Sequence, residues 1–383
     1  MSTAAKILAE LIRFETVSDR TNLPLLDWVE AYLAEWGVAG RRVMDASGEK
    51  ANLIVTIGPA DVPGYVLSGH VDVVPVEGQD WTVPPFGGVI RDGRVWGRGA
   101  SDMKGFVAVV LAAVPDMVAA PLARPLHIVL SYDEEIGCVG VRSAVRELST
   151  WPVRPLGCFV GEPTGMDVVL GHKAKVATRA VVTGRAGHSS RAPEAVNAAE
   201  YAARLAVWIS DRGRALADNG ARDPAYDIGH TTAHVGVLAG GVQLNLVPER
   251  AVLDFEFRAI AADDPHDLTA EAVAFAEGTL APAMRRVTTE AGIAFETLSE
   301  APGLDTPPET GIVTYAKSLA GRNGHRKVAF GTEAGLFAEA GIPSVVIGPG
   351  DIARAHKADE YVEIAELEAC GRFLSRLVAD SRV

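Results

Sequence analysis

Cysteine is scarce in this chain of 383 residues. Only Cys138, Cys158 and Cys370 occur, an odd number without close paired spacing. Neither a disulfide framework nor a thiolate metal cage is therefore indicated, and we expect a reducing, cytoplasmic compartment.

Long apolar runs are also missing. The longest, Phe106 to Val114, falls well short of the roughly 20 residues that a membrane span needs, and Pro115 and Asp116 follow it directly. We interpret it as part of a buried helix that the proline interrupts. The first 14 residues form an amphipathic pattern without the apolar core of a signal peptide, so no export is predicted.

An excess of positive charge is absent as well. The formal net charge is -13, which argues against nucleic acid or an anionic membrane as a partner, because both require a basic face. The same charge tolerates a cationic substrate. With 48% hydrophobic and 22% charged residues, the composition is that of a packed globular protein.

The length favours two domains. Short apolar segments alternate with helical ones up to about residue 175, which predicts an α/β layer with a mostly parallel, mixed sheet. Between residues 176 and 300 the sequence pattern changes and predicts alternating strands and two long helices, as in an antiparallel α+β domain. We therefore predict a catalytic domain, 1–175 and 301–383, that carries an inserted lid or dimerisation domain, 176–300.

Polar residues follow the apolar strands of the first part. His70 and Asp72 lie two residues apart at the end of one strand, so in extended chain they project to the same side. The imidazole could bind a metal ion while the carboxylate orients it. A solvated polar turn is the alternative for this segment alone.

Acidic residues recur at similar places. Asp102 stands at the start of an apolar helix, where it could bind a metal ion or cap the helix. Three adjacent acids, Asp133, Glu134 and Glu135, directly follow a buried strand. In a buried site three adjacent carboxylates repel one another unless cations neutralise them. On a solvated surface turn the same arrangement would cost little free energy. Glu162 follows another apolar strand. We therefore expect the acids to gather at one edge of the sheet.

A second histidine, His356, lies in the loop after the last strand, where it could equally be a surface residue. The candidate ligands comprise two imidazoles and three carboxylates, a set suited to zinc and similar divalent ions: His70, Asp102, Glu135, Glu162 and His356. Two divalent ions would balance the three carboxylates and one hydroxide, whereas one ion would leave the site anionic.

These segments together resemble the M20 metallopeptidase superfamily, and within it the acetylornithine deacetylases. The resemblance extends over nearly the whole chain and rests on six segments in order: Ser68-Gly69-His70-Val71-Asp72, Ala100-Ser101-Asp102-Met103-Lys104-Gly105, Asp133-Glu134-Glu135, Gly161-Glu162-Pro163-Thr164, Gly187-His188-Ser189-Ser190, and the run from Gly348 to Tyr361.

The resemblance implies a role for each matching position. His70 and Glu162 would hold one zinc ion, Glu135 and His356 the other, and Asp102 would bridge them, with cobalt as a possible substitute. Asp72 would support His70, and Glu134 would be the general base. His188 would reach the active site of the neighbouring subunit of a homodimer and steady the oxyanion. Arg258 and Asn245 would bind the substrate, the arginine at its α-carboxylate.

The implied activity is hydrolysis of N2-acetyl-L-ornithine to ornithine and acetate, a step of arginine biosynthesis. The segment around Glu333 is similar to that of the acetylornithine branch, and we hypothesise that Glu333 receives the ornithine ammonium; it could instead cap the following helix. A succinyl-diaminopimelate desuccinylase, an aminoacylase or an N-carbamoyl hydrolase is the alternative within enzymes. A metal-binding protein without catalysis would leave Glu134 unexplained.

Overall fold

The computed structural model describes residues 2–382, which form ten α-helices and eighteen β-strands. The helices are α1 (Thr3–Ile12), α2 (Leu23–Ala34), α3 (Lys104–Ala119), α4 (Val141–Ser149), α5 (Ala198–Asn219), α6 (Pro265–Phe275), α7 (Ala281–Arg285), α8 (Gly311–Ala320), α9 (Ala334–Glu339) and α10 (Ile364–Asp380). The strands are β1 (Gly40–Met44), β2 (Ala51–Ile57), β3 (Tyr65–His70), β4 (Val89–Arg91), β5 (Arg94–Trp96), β6 (Leu126–Ser131), β7 (Gly157–Val160), β8 (Val169–His172), β9 (Ala174–Thr183), β10 (Gly187–His188), β11 (Thr232–Gly240), β12 (Leu246–Val247), β13 (Arg250–Ala259), β14 (Gly292–Ala301), β15 (Leu304–Asp305), β16 (Arg326–Val328), β17 (Ser344–Val346) and β18 (Tyr361–Glu363).

The chain divides into two compact units. The first comprises residues 1–171, 304–327 and 332–383, and the second comprises residues 172–303 and 328–331. Most of the second unit, residues 172–303, is thus inserted into the first in sequence, and the chain enters the second unit again for the short segment 328–331.

The first unit is built on a nine-stranded mixed sheet in the order β1-β2-β6-β3-β7-β17-β8-β15, with β16 pairing to β8. Its centre is parallel, because β3 pairs in parallel with β6 and β7, and β17 with β7. The central strands β3, β6 and β7 are almost wholly buried and are covered by apolar helices, among which α1, α3 and α10 contribute to one continuous core. The predicted mixed, mostly parallel layer is confirmed.

Helix α3 corrects one expectation. The apolar run was predicted to be interrupted at Pro115, yet the helix continues through that residue to Ala119. A proline in a helix leaves the carbonyl four residues earlier without its N–H partner. Here that carbonyl belongs to Leu111, and it accepts a hydrogen bond of 3.1 Å from the Tyr32 hydroxyl on α2. A tertiary contact thus satisfies the group that the proline leaves free.

The second unit contains an antiparallel four-stranded sheet in the order β11-β13-β9-β14. Along β13 and most of β9 buried and half-buried residues alternate, so one face packs against α5 and α6. Helix α6 passes through a π-helical segment, Ala276–Leu280, directly into α7. The predicted antiparallel α+β character of this segment is confirmed.

Within residues 2–382 no helix is both long and apolar enough to cross a bilayer. Cys138, Cys158 and Cys370 are buried and none of them forms a disulfide.

Candidate metal centre

The candidate ligands lie at one edge of the main sheet. His70 is the last residue of β3, Glu162 follows the end of β7 by two residues, and Glu135 follows the end of β6 by four. Since these three strands are parallel neighbours, their carboxyl ends open onto the same side. Gly161 permits this packing before Glu162, because a Cβ there would lie 1.9 Å from Cγ of Phe106.

Two groups of three side chains could each hold a metal ion, and they share one carboxylate. His70, Asp102 and Glu162 form the first triad; Asp102, Glu135 and His356 form the second. Oδ1 of Asp102 lies 3.1 Å from Nε2 of His70, and its Oδ2 lies 3.2 Å from Nε2 of His356. The carboxylate therefore presents one oxygen to each triad, as a bridging ligand would.

The remaining distances within the triads are similar. Nε2 of His70 lies 3.6 Å from Oε1 of Glu162, and Nε2 of His356 lies 3.0 Å from Oε2 of Glu135. The alternative that Asp102 caps α3 is wrong, since Met103 holds the N-cap position and no side chain caps this helix. The donor set of imidazole nitrogens and carboxylate oxygens fits zinc or a similar divalent ion.

Asp72 organises two parts of this site. Nδ1 of His70 lies 2.9 Å from the backbone carbonyl of Asp72 and 3.5 Å from its carboxylate, so the closer contact to the imidazole is the carbonyl. The carboxylate instead accepts hydrogen bonds from the backbone N–H groups of Glu134 (3.1 Å) and Glu135 (3.2 Å) and from the hydroxyl of Ser18 (2.7 Å). Asp72 thus fixes the turn that carries both glutamates, which its sequence position did not indicate.

The three adjacent acids after β6 have different surroundings. Asp133 forms an ion pair of 2.7 Å with Lys50. Glu135 belongs to the second triad, whereas Glu134 does not belong to either triad and accepts a hydrogen bond from the Cys138 thiol at 3.2 Å. Of the three acids, Asp133 is paired with a lysine and Glu135 belongs to a metal triad. Glu134 has neither role and is available for another function beside the triads.

The pKa shifts in the site show that its carboxylates lack enough neighbouring positive charge. Burial, together with Glu135, Asp102 and Asp72, raises the pKa of Glu134 to about 8, and burial with Asp102 raises that of Glu135 to about 7. Asp102 and Glu135 raise the pKa of His356 to about 10. Glu134 and Glu135 are therefore crowded enough to hold protons, whereas the two imidazoles lower the pKa of Asp102, and divalent cations would supply the missing positive charge.

The two triads differ in how they are held. The His70 side chain is fully buried, whereas that of His356 is 50% exposed and stands on a loop with a left-handed φ of 60°. Non-glycine residues rarely adopt this conformation unless their surroundings enforce it. His356 thus depends on loop contacts rather than on a strand for its position.

Lys104, two residues after Asp102, is completely buried beneath the site. Its ammonium donates to the backbone carbonyls of Leu11 (3.1 Å) and Phe14 (2.8 Å), at the end of α1 and just beyond it. The side chain therefore ties the loop of the shared carboxylate to the N-terminal helix.

Glu333 does not occupy a position suited to the substrate contact hypothesised from the sequence. Its side chain is fully buried, and its two oxygens accept hydrogen bonds from the hydroxyls of Ser68 and Ser131 (2.7 Å for the latter). It also makes no capping hydrogen bond, although it precedes α9. Both oxygens are engaged in joining β3 to β6, so this arrangement argues against an ammonium contact. The signal for this buried partner was a serine near the carboxyl end of each strand, Ser68 in β3 and Ser131 in β6.

The substrate residues implied by the resemblance lie in the second unit. His188 on β10 is exposed, and Ser189 next to it donates its N–H to the carbonyl of Asn245 at 3.0 Å. His188 and Asn245 are thus held together by the small β10-β12 sheet. Arg258 on β13 is separate from them, and its Nε donates to Glu256 at 2.7 Å.

Comparison with known proteins agrees with this geometry. Residues 66–380 match the family described as peptidase family M20/M25/M40. The chain is 30% identical to an acetylornithine deacetylase of Proteus mirabilis (strain HI4320), with 99% of this chain and 96% of the relative covered. It is 32% identical to the acetylornithine deacetylase of Myxococcus xanthus, with 97% and 96% covered.

Solved structures show the same fold at lower identity. An M20 family metallo-carboxypeptidase from Sulfolobus solfataricus superposes with a TM-score of 0.78 at 18% identity, covering 99% of both chains. A dinuclear metal-binding M20 peptidase from Bacillus subtilis gives 0.66 at 14% identity, with 98% of both chains covered. From the extent of the family match and the similarity to these relatives, the chain belongs to peptidase family M20/M25/M40.

Proposed function

We propose that this M20 family hydrolase removes the acyl group from N2-acetyl-L-ornithine by means of two divalent metal ions, zinc being the most suitable. The observation that carries the proposal is the shared Asp102 carboxylate, with one oxygen toward each imidazole and Glu134 left beside the triads. The full-length similarity to acetylornithine deacetylases supports the choice of substrate.

The chain's own residues provide the positioning and the proton transfer. Bound divalent ions would lower the pKa of water and polarise the scissile carbonyl. Glu134 would accept the proton from the attacking water and deliver it to the leaving amine nitrogen, which yields acetate and a free amine. Asp72 holds the backbone of Glu134 and Glu135 in place for this transfer. Arg258 would pair with the substrate α-carboxylate.

The substrate assignment is tested with a panel of acylated amino acids and enzyme loaded with zinc or cobalt. We expect kcat/KM to be at least about tenfold higher for acetylornithine than for acetylmethionine, since a hydrogen bond to a charged group is worth about 1.5–3 kcal/mol and about 1.4 kcal/mol corresponds to a factor of ten. A higher value for succinyl-diaminopimelate, acetylmethionine or an N-carbamoyl amino acid would replace acetylornithine by that substrate. Absence of any hydrolysis by the two-metal protein would contradict the enzymatic function.

We further propose a homodimer in which His188 of one copy steadies the oxyanion in the site of the other. The loop between β11 and β12 supports this, since Val242 is 83% exposed and Leu244 is 100% exposed. With Leu246, which is 42% exposed, they form a run of neighbouring exposed apolar side chains, and contiguous apolar patches are typical of protein interaction surfaces.

Leu244→Asp should therefore convert the dimer into a monomer, because a charge at an apolar interface is costly. Light scattering coupled to size-exclusion chromatography measures the mass directly. We expect kcat of the monomer to fall by about 100-fold, the effect of losing one oxyanion donor. A dimeric Leu244→Asp protein would show that this loop is not the interface, and an active monomer would remove His188 from the partner's site.

A further inference from the structure

A buried polar cluster lies behind the second metal triad. Arg98 and Glu360 form an ion pair of 2.7 Å in which the two side chains are only 1% and 0% exposed. The other oxygen of Glu360 accepts hydrogen bonds from the backbone N–H groups of Ser101 (2.9 Å) and Asp102 (3.1 Å). Glu360 therefore holds the backbone that carries the shared carboxylate.

The arginine extends the cluster toward the second histidine. Nη2 of Arg98 donates to Oε1 of Gln79 at 2.6 Å, and Nε2 of Gln79 donates to the backbone carbonyl of His356 at 3.0 Å. Nη1 of Arg98 also donates to the backbone carbonyl of Lys357 at 3.3 Å. A continuous chain of hydrogen bonds thus runs from the backbone of Asp102 through Glu360, Arg98 and Gln79 to that of His356.

This connection matters because the two triads are supported differently. The first has His70 on a central strand and Glu162 directly after another. The second has His356 on an exposed loop in a left-handed conformation, with no strand to fix it. A buried ion pair is costly to form and seldom adds net stability, so its presence here points to a role in geometry.

We infer that Arg98, Glu360 and Gln79 are positioning residues that set the distance between Asp102 and His356 and so determine affinity for the second metal ion. The inference rests on the proposed two-metal function. Groups that orient metal ligands in this way typically contribute 10–100-fold to affinity. The effect of removing the Gln79 contacts should be strongest at the second triad, because Gln79 donates to the backbone of His356 and, among the contacts of residues 2–382, has no hydrogen bond to His70, Asp102 or Glu162. Glu360 keeps its ion pair with Arg98 and so continues to hold the backbone of Asp102, which both triads share.

Two mild substitutions break the chain of hydrogen bonds at different points. Gln79→Leu removes the hydrogen bonds of this half-buried amide with Arg98, the His356 carbonyl and the indole N–H of Trp81, and it leaves the buried ion pair intact. Arg98→Lys keeps a cation for Glu360 but lacks the second arm that reaches Gln79. Arg179→Lys is the matched control, since Arg179 pairs with Asp254 in the second unit, away from every residue of the chain of hydrogen bonds.

The measurement is zinc affinity at buffered free zinc, with metal content per chain, for the full-length protein. We expect each variant to weaken binding of the second ion by about tenfold and to leave the first within about twofold. The double variant should be no weaker than the single ones, because both cut the same connection. Raising free zinc should restore kcat, and melting of the metal-free Gln79→Leu protein should be unchanged.

Other outcomes separate the inference from the function on which it rests. The inference is overturned if the Gln79→Leu protein binds the second ion as tightly as the wild type, if both ions are weakened equally, or if the two substitutions are additive. Wild-type protein that binds fewer than two ions contradicts the proposed two-metal function itself. If Arg179→Lys weakens binding of the second zinc ion as much as Arg98→Lys does, the effect comes from replacing any arginine by lysine, and the inference is overturned.

Discussion

Glu134→Gln is expected to bind two metal ions per chain and to lose at least about 100-fold in kcat, the usual contribution of a general base. Glu134 belongs to neither triad, so the amide should not disturb metal binding. Its backbone N–H donates to Asp72 and does not depend on the side chain, so the turn should keep its conformation. An amide cannot accept the proton of the attacking water, and turnover should fall while KM changes little.

The measurement combines steady-state kinetics with metal analysis of the same sample. Glu147→Gln is the matched control, because Glu147 forms a partly exposed ion pair with Arg41 in the same unit. Such pairs contribute little, so this variant should retain wild-type kcat within about twofold. A Glu134→Gln enzyme that turns over at the wild-type rate would exclude Glu134 as the base.

Asp102→Asn should lose the two-ion stoichiometry and at least about 1000-fold in kcat/KM, because one side chain serves both triads. The two carboxylate oxygens face different imidazoles at 3.1 and 3.2 Å. An asparagine retains one of these oxygens and presents an NH2 group, which is not a ligand for a divalent cation, to the other triad. Both the charge and the bridge are therefore lost by replacing one atom.

Metal content after dialysis at fixed free zinc provides the readout, together with kcat/KM. Asp116→Asn is the control, since Asp116 is exposed on α3, the helix that follows the loop of Asp102. We expect two ions and unchanged kinetics there. Two tightly bound ions in Asp102→Asn would refute the bridging role.

The sequence predicted the candidate ligands best where polar residues directly follow a buried strand. A buried strand that ends in a polar residue places that residue at the carboxyl edge of a parallel sheet, and this rule located His70, Glu135 and Glu162 before their contacts were known. The structure then brought Asp102 and His356 to the same edge. Both belong to the donor set expected from the sequence, although their own segments also allow a helix cap and a surface loop, so neither segment alone predicts this position.

Long-range contacts were the part that sequence patterns could not supply. Glu333 lies more than 200 residues from both of its serine partners, and its burial contradicts the expected role at the substrate. The continuation of α3 past Pro115 depends on the Tyr32 hydroxyl, which lies on another helix. In each case the hydrogen-bond partner of a polar group lies far away in the sequence, and local secondary-structure propensities do not predict such a pairing.

The buried ammonium of Lys104 has a practical consequence for how the chain can be shortened. Its two acceptors, the carbonyls of Leu11 and Phe14, belong to the first 14 residues. A deletion of this segment would leave a cation in the interior without either acceptor, two residues from the bridging carboxylate. A short N-terminal trimming would therefore act on the metal centre, although the removed residues contain none of its ligands.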